Sequence, residues 1–453
     1  MRRERVDVCV IGTGAGGAPV ARALAEAGAK VAVLEEGSEH ALDTLTARPR
    51  DMLPQMYRDA GQTATLGTPP IVLPLGRALG GSTLVNSGTC FRAPEAVLRR
   101  WREDLDLELE PRHYAQVEQE IHVSRVTEDI AGRNALVAKR GAEALGWSGH
   151  FLDRNAKGCV GSGVCAFGCP VGAKQHTGQT YMTWAKEAGA QVHTGVKARR
   201  VERGQVLADG LTITAETVVV AAGTLHTPGL LRNSGIRHPA IGRNLSIHPA
   251  TAAWALMDEE VDMAKGVPQS YCVDEFTDEG LMFEGVGGPP DYLAMAVPFT
   301  GDRHREVMLN YRRIAQFGLM VSDTSRGRIR GPIVRYDLNR ADADTIVRGI
   351  ERVAELLFAA GARRVFVPIA GTPVLTRPMP LRARRRDLKL MAFHPLGTAR
   401  AGRGGVLDEN LKVRDWDGLY VCDGSAVPTA LGVNPQMTIM ALATRLGEHL
   451  CRS

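Results

Sequence analysis

Apolar and polar positions alternate in blocks along the chain, and the blocks set the expected elements. Val6 to Ile11 is a short apolar run that suits a buried parallel strand. A helical pattern follows to about Ala27, and a second apolar run, Val31 to Leu34, ends at Glu35. Residues 38 to 75 lose all period and carry Pro49, Pro54, Pro69, Pro70 and Pro74, which reads as an irregular excursion. Residues 95 to 150 read as mostly helical, including Asp129 to Trp147 with Ile130, Leu136, Val137 and Leu145. Gln191 to Val220 reads as short strands with turns. Farther on, Leu293 to Val297, Val307 to Leu309 and Phe317 to Val321 read as strands. Ala341 to Ala360 places Ile346, Ile350, Val353 and Leu357 on one helical face, with Gly361 as its stop. Gly418 to Ser425 reads as a strand with a turn at its end, and Gln436 to Leu450 as an apolar helix.

The first block carries the first chemistry. Gly12, Gly14 and Gly17 form G-x-G-x-x-G between strand and helix, and Glu35 ends the second strand 18 residues after Gly17. Glycine-rich turns also arise for purely structural reasons, but here strand, helix, second strand and terminal acid are in register for dinucleotide binding. Gly12 allows the tight turn, Gly14 lets the backbone approach a pyrophosphate, and Gly17 lets the helix pack on the sheet. The helix start presents free N–H groups and a positive dipole end. Glu35 is placed to bind an adenosine ribose and disfavours a 2′-phosphate, so FAD or NAD fits better than NADP.

Composition narrows the class. The chain has 453 residues, 44% hydrophobic and 23% charged, enough for two or three domains with a large core. The net charge of +5 comes without a basic block interleaved with aromatics, so nucleic acid is not the expected partner. No apolar run reaches the length of a membrane span. Met1-Arg2-Arg3 could suggest an export signal, but the expected first strand begins at Val6 and leaves no room for a leader, so the expected location is cytoplasmic.

Gly76 to Asn86 reads GRALGGSTLVN, and a Gly-Gly-Ser-Thr turn offers closely spaced N–H groups to a flat ring or a phosphate. This segment resembles the first signature of the glucose–methanol–choline (GMC) oxidoreductases. Gly223-Thr224, Thr227-Pro228, Leu230-Leu231 and Ser234-Gly235-Ile236 fall at the spacing of the second signature. The departures are Cys90, where that family has an aromatic residue or alanine, and Arg237, where it has the last glycine. The resemblance covers the first 100 residues, 158 to 250 and 390 to 450. It implies FAD held at Gly12, Gly14, Gly17, Glu35, Gly80, Gly81, Ser82, Asn86, Gly223, Asp423, Gly424, Asn434 and Pro435. Relatives with covalent flavin carry a histidine directly before the asparagine; Val85 stands there, which implies non-covalent FAD.

His394-Pro395-Leu396-Gly397-Thr398 resembles the family's H-x-x-G-T, and Asn434-Pro435 its N-P segment. Alcohol oxidation needs a base near neutrality and a polar group that holds the oxygen, and histidine and asparagine suit these tasks. His394 is therefore expected as general base, Asn434 as substrate-oxygen partner, with hydride passing to flavin N5. Asn434-Pro435 is equally a helix cap followed by proline at the first helical position, and both roles are compatible. Gly242 to Pro249 resembles the family's G-x-N-L-x-x-H-P turn, and His248 reads there as structural. The run Cys159-x2-Ser162-x2-Cys165-x3-Cys169-Pro170 would match a ferredoxin cluster loop if residue 162 were cysteine. It also resembles a cysteine-rich segment in the GMC branch that acts on long-chain or lipid-like alcohols. No metal is expected; an iron–sulfur or zinc site at Cys159, Cys165 and Cys169 is the lesser alternative.

The fold expected is α/β: an FAD-binding, Rossmann-like three-layer domain with a parallel sheet, and a discontinuous α+β substrate domain on a mostly antiparallel sheet. The FAD domain is expected over residues 1–44, 76–94, 158–250 and 395–453, with excursions at 45–75 and 95–157 and the substrate domain at 251–394. The function expected is FAD-dependent oxidation of a primary or secondary alcohol, with electrons passing to O2, a quinone or another acceptor. Met257, Met263, Met282, Met295, Met308 and Met320 are consistent with a bulky hydrophobic alcohol. The alternatives are a hydroxynitrile-lyase-type enzyme that keeps FAD, and an iron–sulfur electron carrier.

Overall fold

Strand Val8–Ile11 is buried at every residue, so both of its edges and both of its faces must be covered. In the computed structural model, which describes residues 2–452, it is the centre of a five-stranded parallel sheet. The order is Leu419–Val421, Thr217–Val220, Val8–Ile11, Val31–Glu35 and Gln191–Thr194. Helix Gly17–Glu26 packs on this sheet and against the C-terminal helix Gln436–Arg452. The two helices cross so closely that a Cβ at Gly447 would lie 2.8 Å from the Ala23 Cβ.

A second sheet has eight strands, and all of its pairings but one are antiparallel. Its path runs Ile71–Val72, Leu390–Met391, Ala250–Leu256, Ile314–Val321, Leu281–Gly285, Tyr271–Val273, Gly149–Phe151, with Arg364–Phe366 paired to Ala250–Leu256. Helices Arg133–Leu145 and Arg340–Ala359 cover one face and share its apolar core. The other face looks into a cavity: alternate residues Ala250, Ala252 and Trp254 line it from one strand, and Gln316, Gly318 and Met320 from its neighbour. Ile71–Val72 and Gly149–Phe151, from segments read as excursions, supply the two ends of this sheet.

The chain differs from the expected elements in several places, with helix Pro49–Met56 inside the stretch read as irregular. Arg2–Arg5, placed before the first expected strand, is itself a strand paired in parallel with Leu211–Thr214 in a four-stranded sheet. Its side chains are largely exposed, so backbone pairing at a sheet edge decides its conformation and no apolar pattern announces it. Leu293 to Val297 and Val307 to Leu309 lie within or at the end of helices, Pro290–Ala296 and Gly301–Leu309. Leu293 and Val297 are buried four residues apart while Met295 between them is exposed, which is a helical spacing. The helix expected over Asp129 to Trp147 breaks at Gly132 into Glu128–Ala131 and Arg133–Leu145. Gly132 has φ +83° and packs against Gly266, leaving no room for a side chain.

Candidate active site

The cavity holds about 950 Å³ and lies between the carboxyl ends of the parallel strands and the eight-stranded sheet. Ile11, Leu34, Glu35 and Asp423, at or just beyond strand ends, line it. Gly12, with φ +107°, turns the chain out of the first strand; a Cβ there would lie 2.2 Å from the Ala221 carbonyl oxygen. Gly17 does not line the cavity. Its Cβ would lie 2.0 Å from the Gly12 carbonyl oxygen, so it lets the helix sit on the turn. Gly14 differs: no atom lies within 4 Å of where its Cβ would be. Gly81 faces Gly14 across this opening, with its would-be Cβ 3.1 Å from the Gly14 Cα. Gly80 lies behind the wall, where its N–H donates to Thr13 Oγ1 at 2.9 Å. Ser82 and Asn86 line the wall, the former accepting Gly76 N–H at 3.0 Å and the latter donating to Gln436 Oε1 at 2.8 Å.

Glu35 is buried and accepts from Thr13 N–H at 3.1 Å, Thr13 Oγ1 at 2.6 Å and Gly37 N–H at 2.8 Å. Burial raises its pKa despite these donors. Across the sheet, Asp423 Oδ2 accepts from Gly223 N–H at 2.8 Å and Thr227 Oγ1 at 2.6 Å, and Oδ1 from Ser425 N–H at 2.7 Å. Burial raises this carboxyl as well. Gly424 sits beside it, where a Cβ would lie 2.6 Å from Thr224 Oγ1 and has no room. Asp423, Gly223, Gly424 and Pro435 all line the cavity.

His394 and Asn434, 40 residues apart, meet the same cavity. His394 is partly buried, and its Nδ1 lies 3.3 Å from His248 Nδ1, which leaves Nε2 for the cavity. Burial first, and His248 second, hold the His394 pKa well below the ordinary histidine value. Asn434 is buried. Its Nδ2 donates to Glu284 Oε2 at 3.4 Å, and its Oδ1 has no hydrogen-bond partner. The helix Gln436–Arg452 begins two residues later.

Sequence profiles of the GMC oxidoreductase family match residues 53–250 and 322–443. An uncharacterised GMC-type oxidoreductase of Mycobacterium tuberculosis is 40% identical over 98% of this chain and 76% of its own length. A long-chain-alcohol oxidase of Arabidopsis thaliana is 29% identical over 100% of this chain and 68% of its own. The crystal structure of pyridoxine 4-oxidase from Mesorbium loti superposes with a TM-score of 0.75 at 19% identity, covering 99% of each chain. The chain belongs to the GMC oxidoreductase family.

This GMC oxidoreductase is an FAD-dependent oxidoreductase. Its residues fit that cofactor. The opening at Gly14 and Gly81 leaves room for a diphosphate near the start of helix Gly17–Glu26, and Asn434 and Glu284, whose Oδ1 and Oε1 are buried without a partner, line the same cavity.

Three groups, Thr13, Gln436 and Glu284, escaped the sequence reading. Thr13 ties Glu35 to Gly80, and its carbonyl accepts from Thr177 Oγ1 at 2.8 Å. Gln436 bridges Asn86 to the Thr89 carbonyl, to which it donates at 2.8 Å. Glu284 is a lone acid in the buried strand Leu281–Gly285; burial pushes its pKa up to about 7, and Gln269 Nε2 donates to its Oε2 at 2.7 Å. A single carboxylate in an apolar strand was the signal available for it. His248, read as structural, is fully buried, does not line the cavity and packs on His394. Its Nε2 accepts from Leu431 N–H at 3.0 Å and Gly432 N–H at 3.2 Å. Asp323 holds its turn, accepting from Ser246 Oγ, Ile247 N–H, His248 N–H and Tyr336 Oη.

Cys159, Cys165 and Cys169 lie apart from the main cavity, around a small crevice. Among the described residues no cluster of three or more His, Cys, Asp or Glu is arranged to hold a metal ion. No described helix is long and apolar enough to cross a membrane.

Proposed function

We propose that this enzyme oxidises a hydrophobic alcohol to a carbonyl compound, with FAD bound non-covalently. The observation that carries this reading is the convergence of His394, Asn434 and Glu284 on one cavity with an apolar wall. Bound FAD supplies the acceptor for the hydride that leaves the carbinol carbon. Asn434 holds the substrate oxygen. His394, neutral because of its depressed pKa, faces that oxygen and serves as the base that takes the hydroxyl proton. The apolar wall includes Trp254, Met320 and Met391, and the exposed Met295 and Phe393 lie on the cavity where a substrate would enter. The long-chain-alcohol oxidase relative supports the same substrate class. Electrons then pass to O2, a quinone or another acceptor.

A second reading of the proton step has its own observation. Neutral imidazole has one donor and one acceptor nitrogen. His248 Nε2 accepts two backbone N–H groups, so its proton lies on Nδ1 and points at His394 Nδ1. His394 then carries its own proton on Nε2 and donates to the substrate oxygen. In that case Glu284, with a pKa of about 7 and a free Oε1, is the proton acceptor.

Anaerobic incubation with short, long-chain, aromatic and sterol alcohols tests the function. Flavin bleaching by the long or bulky alcohols is the expected result. No bleaching by any alcohol would defeat the reading and favour a lyase that keeps FAD without redox turnover. Acid denaturation should release all flavin into solution. His394→Ala should lower turnover by about two to four orders of magnitude if it is the base.

A further inference from the structure

Arg154 and Lys174 are each only 2% exposed. Arg154 donates from Nε to the Ser87 carbonyl at 2.8 Å, and from Nη2 to the same carbonyl and to Cys165 Sγ, the latter at 3.2 Å. Lys174 Nζ donates to the carbonyls of Leu84, Asn86 (2.8 Å) and Cys165 (2.7 Å). None of these partners is a carboxylate. The groups near the two cations that can carry a negative charge are thiols, Cys165, Cys159 and Cys90 around Arg154 and Cys165 and Cys169 around Lys174, while the cations also face each other and Lys174 faces His176. Burial lowers Lys174 to about 8, which leaves it mostly protonated at neutral pH. Arginine cannot discharge itself by losing a proton. A buried cation without a counter-charge is costly, so this pair calls for an anion within the same contact shell.

We propose that Cys165 is held as a thiolate between Arg154 and Lys174, and that its sulfur is a modification site for hydrogen peroxide. Sγ is the one ionisable atom that a buried guanidinium touches directly here. The two cations lower the Cys165 pKa against the opposing effect of burial. Cys90, also buried close to Arg154 but without that contact, is pushed up to about 12. A crevice of about 10 Å³ lies against Cys165 and is lined also by Arg154, Cys159, Cys169 and Lys174. Its size suits one water-sized molecule. The thiolate sulfur attacks one peroxide oxygen; the S–O bond forms, the O–O bond breaks, and the departing hydroxide takes the sulfenic proton to leave sulfenate and water. The sulfur is oxidised by two electrons and the peroxide reduced by two. Sulfenate keeps the negative charge that the two cations require.

The position gives the modification a route to the cofactor site. Arg154 and Lys174 together grip the carbonyls of Leu84, Asn86 and Ser87, and Val85, Asn86 and Ser87 line the main cavity. An added oxygen on Cys165 displaces the groups that hold that wall.

The test uses the whole flavoprotein. Wild-type enzyme is treated with hydrogen peroxide, the excess peroxide is removed with catalase, the protein is denatured in dimedone, and labelled cysteines are located by fragment mass spectrometry. Cys165 is expected to be labelled first. Label on Cys451, Cys159 or Cys169 with Cys165 unlabelled would overturn the proposal. Ultraviolet difference spectra at pH 7 provide a second readout: Cys165→Ser should lack one equivalent of thiolate absorption relative to wild type, and equal spectra would overturn the thiolate assignment. The labelling experiment needs no variant, so it stands if the serine variant does not fold.

Discussion

His248 and His394 meet through their Nδ1 atoms at 3.3 Å, although 146 residues separate them. The contact couples a ring that lines the cavity to one that does not. Both rings are pushed toward the neutral form by burial, His248 to about 4, so one proton between the two Nδ1 atoms sets the tautomer of both.

His248→Leu removes that control. Turnover should fall by about ten- to a hundredfold, the scale seen when the group orienting a functional histidine is lost. The pH profile of kcat/KM should change shape as well. A uniform fall with an unchanged profile would reduce His248 to a packing role.

Glu284 makes the pH dependence specific. If it accepts the proton, it must be ionised, so kcat/KM should rise with pH through about 7 and then level off. Glu284→Gln should abolish that rising limb. Stability should run in the opposite direction. The folded-state pKa lies above the unfolded carboxyl value, so the native protein binds more protons between the two. Cofactor-free protein should therefore lose stability as pH rises from about 4.5 to about 7, by on the order of 3 kcal/mol, and the glutamine variant should lose less. Denaturant titrations at pH 5 and pH 8 measure this.

Gly14 and Gly16 offer a paired test of the nucleotide turn. A Cβ at Gly16 would lie 1.7 Å from the Cys422 carbonyl oxygen, whereas none of the protein lies within 4 Å of one at Gly14. Gly16→Ala should lower the unfolding midpoint of cofactor-free protein. Gly14→Ala should leave that midpoint unchanged yet weaken FAD retention, measured by flavin release on dilution.

Asp323→Ala should destabilise the protein by about 3 kcal/mol or more, because it strands several buried donors at once, each costing about 1–3 kcal/mol. Chemical denaturation reads the loss directly. Activity should fall with it, since the His248 turn, with φ +50°, depends on Asp323.

The nucleotide half was legible because each glycine answers a local need. Gly12 and Gly17 stand where backbones collide with any side chain, and the strands around them are apolar up to Glu35. The closing helix and the long helix Arg340–Ala359 were legible from their period. Arg2–Arg5 was not, because its pairing depends on a partner edge two hundred residues away. Glu284 and Lys174 were not, and His248 was legible only as a structural histidine, because these contacts come from burial and packing across the sheets, which no local pattern records. The cysteine run was visible as unusual chemistry, but the cations that surround Cys165 became apparent only in three dimensions.

Strand Leu419–Val421 pairs beside Thr217–Val220, and the closing helix lies on Gly17–Glu26. Until residues 419–452 have been made, a chain emerging from the ribosome therefore displays an open sheet edge and a bare helix face. The FAD pocket therefore closes only after those residues are made, and nascent chains stalled before residue 419 should carry no flavin.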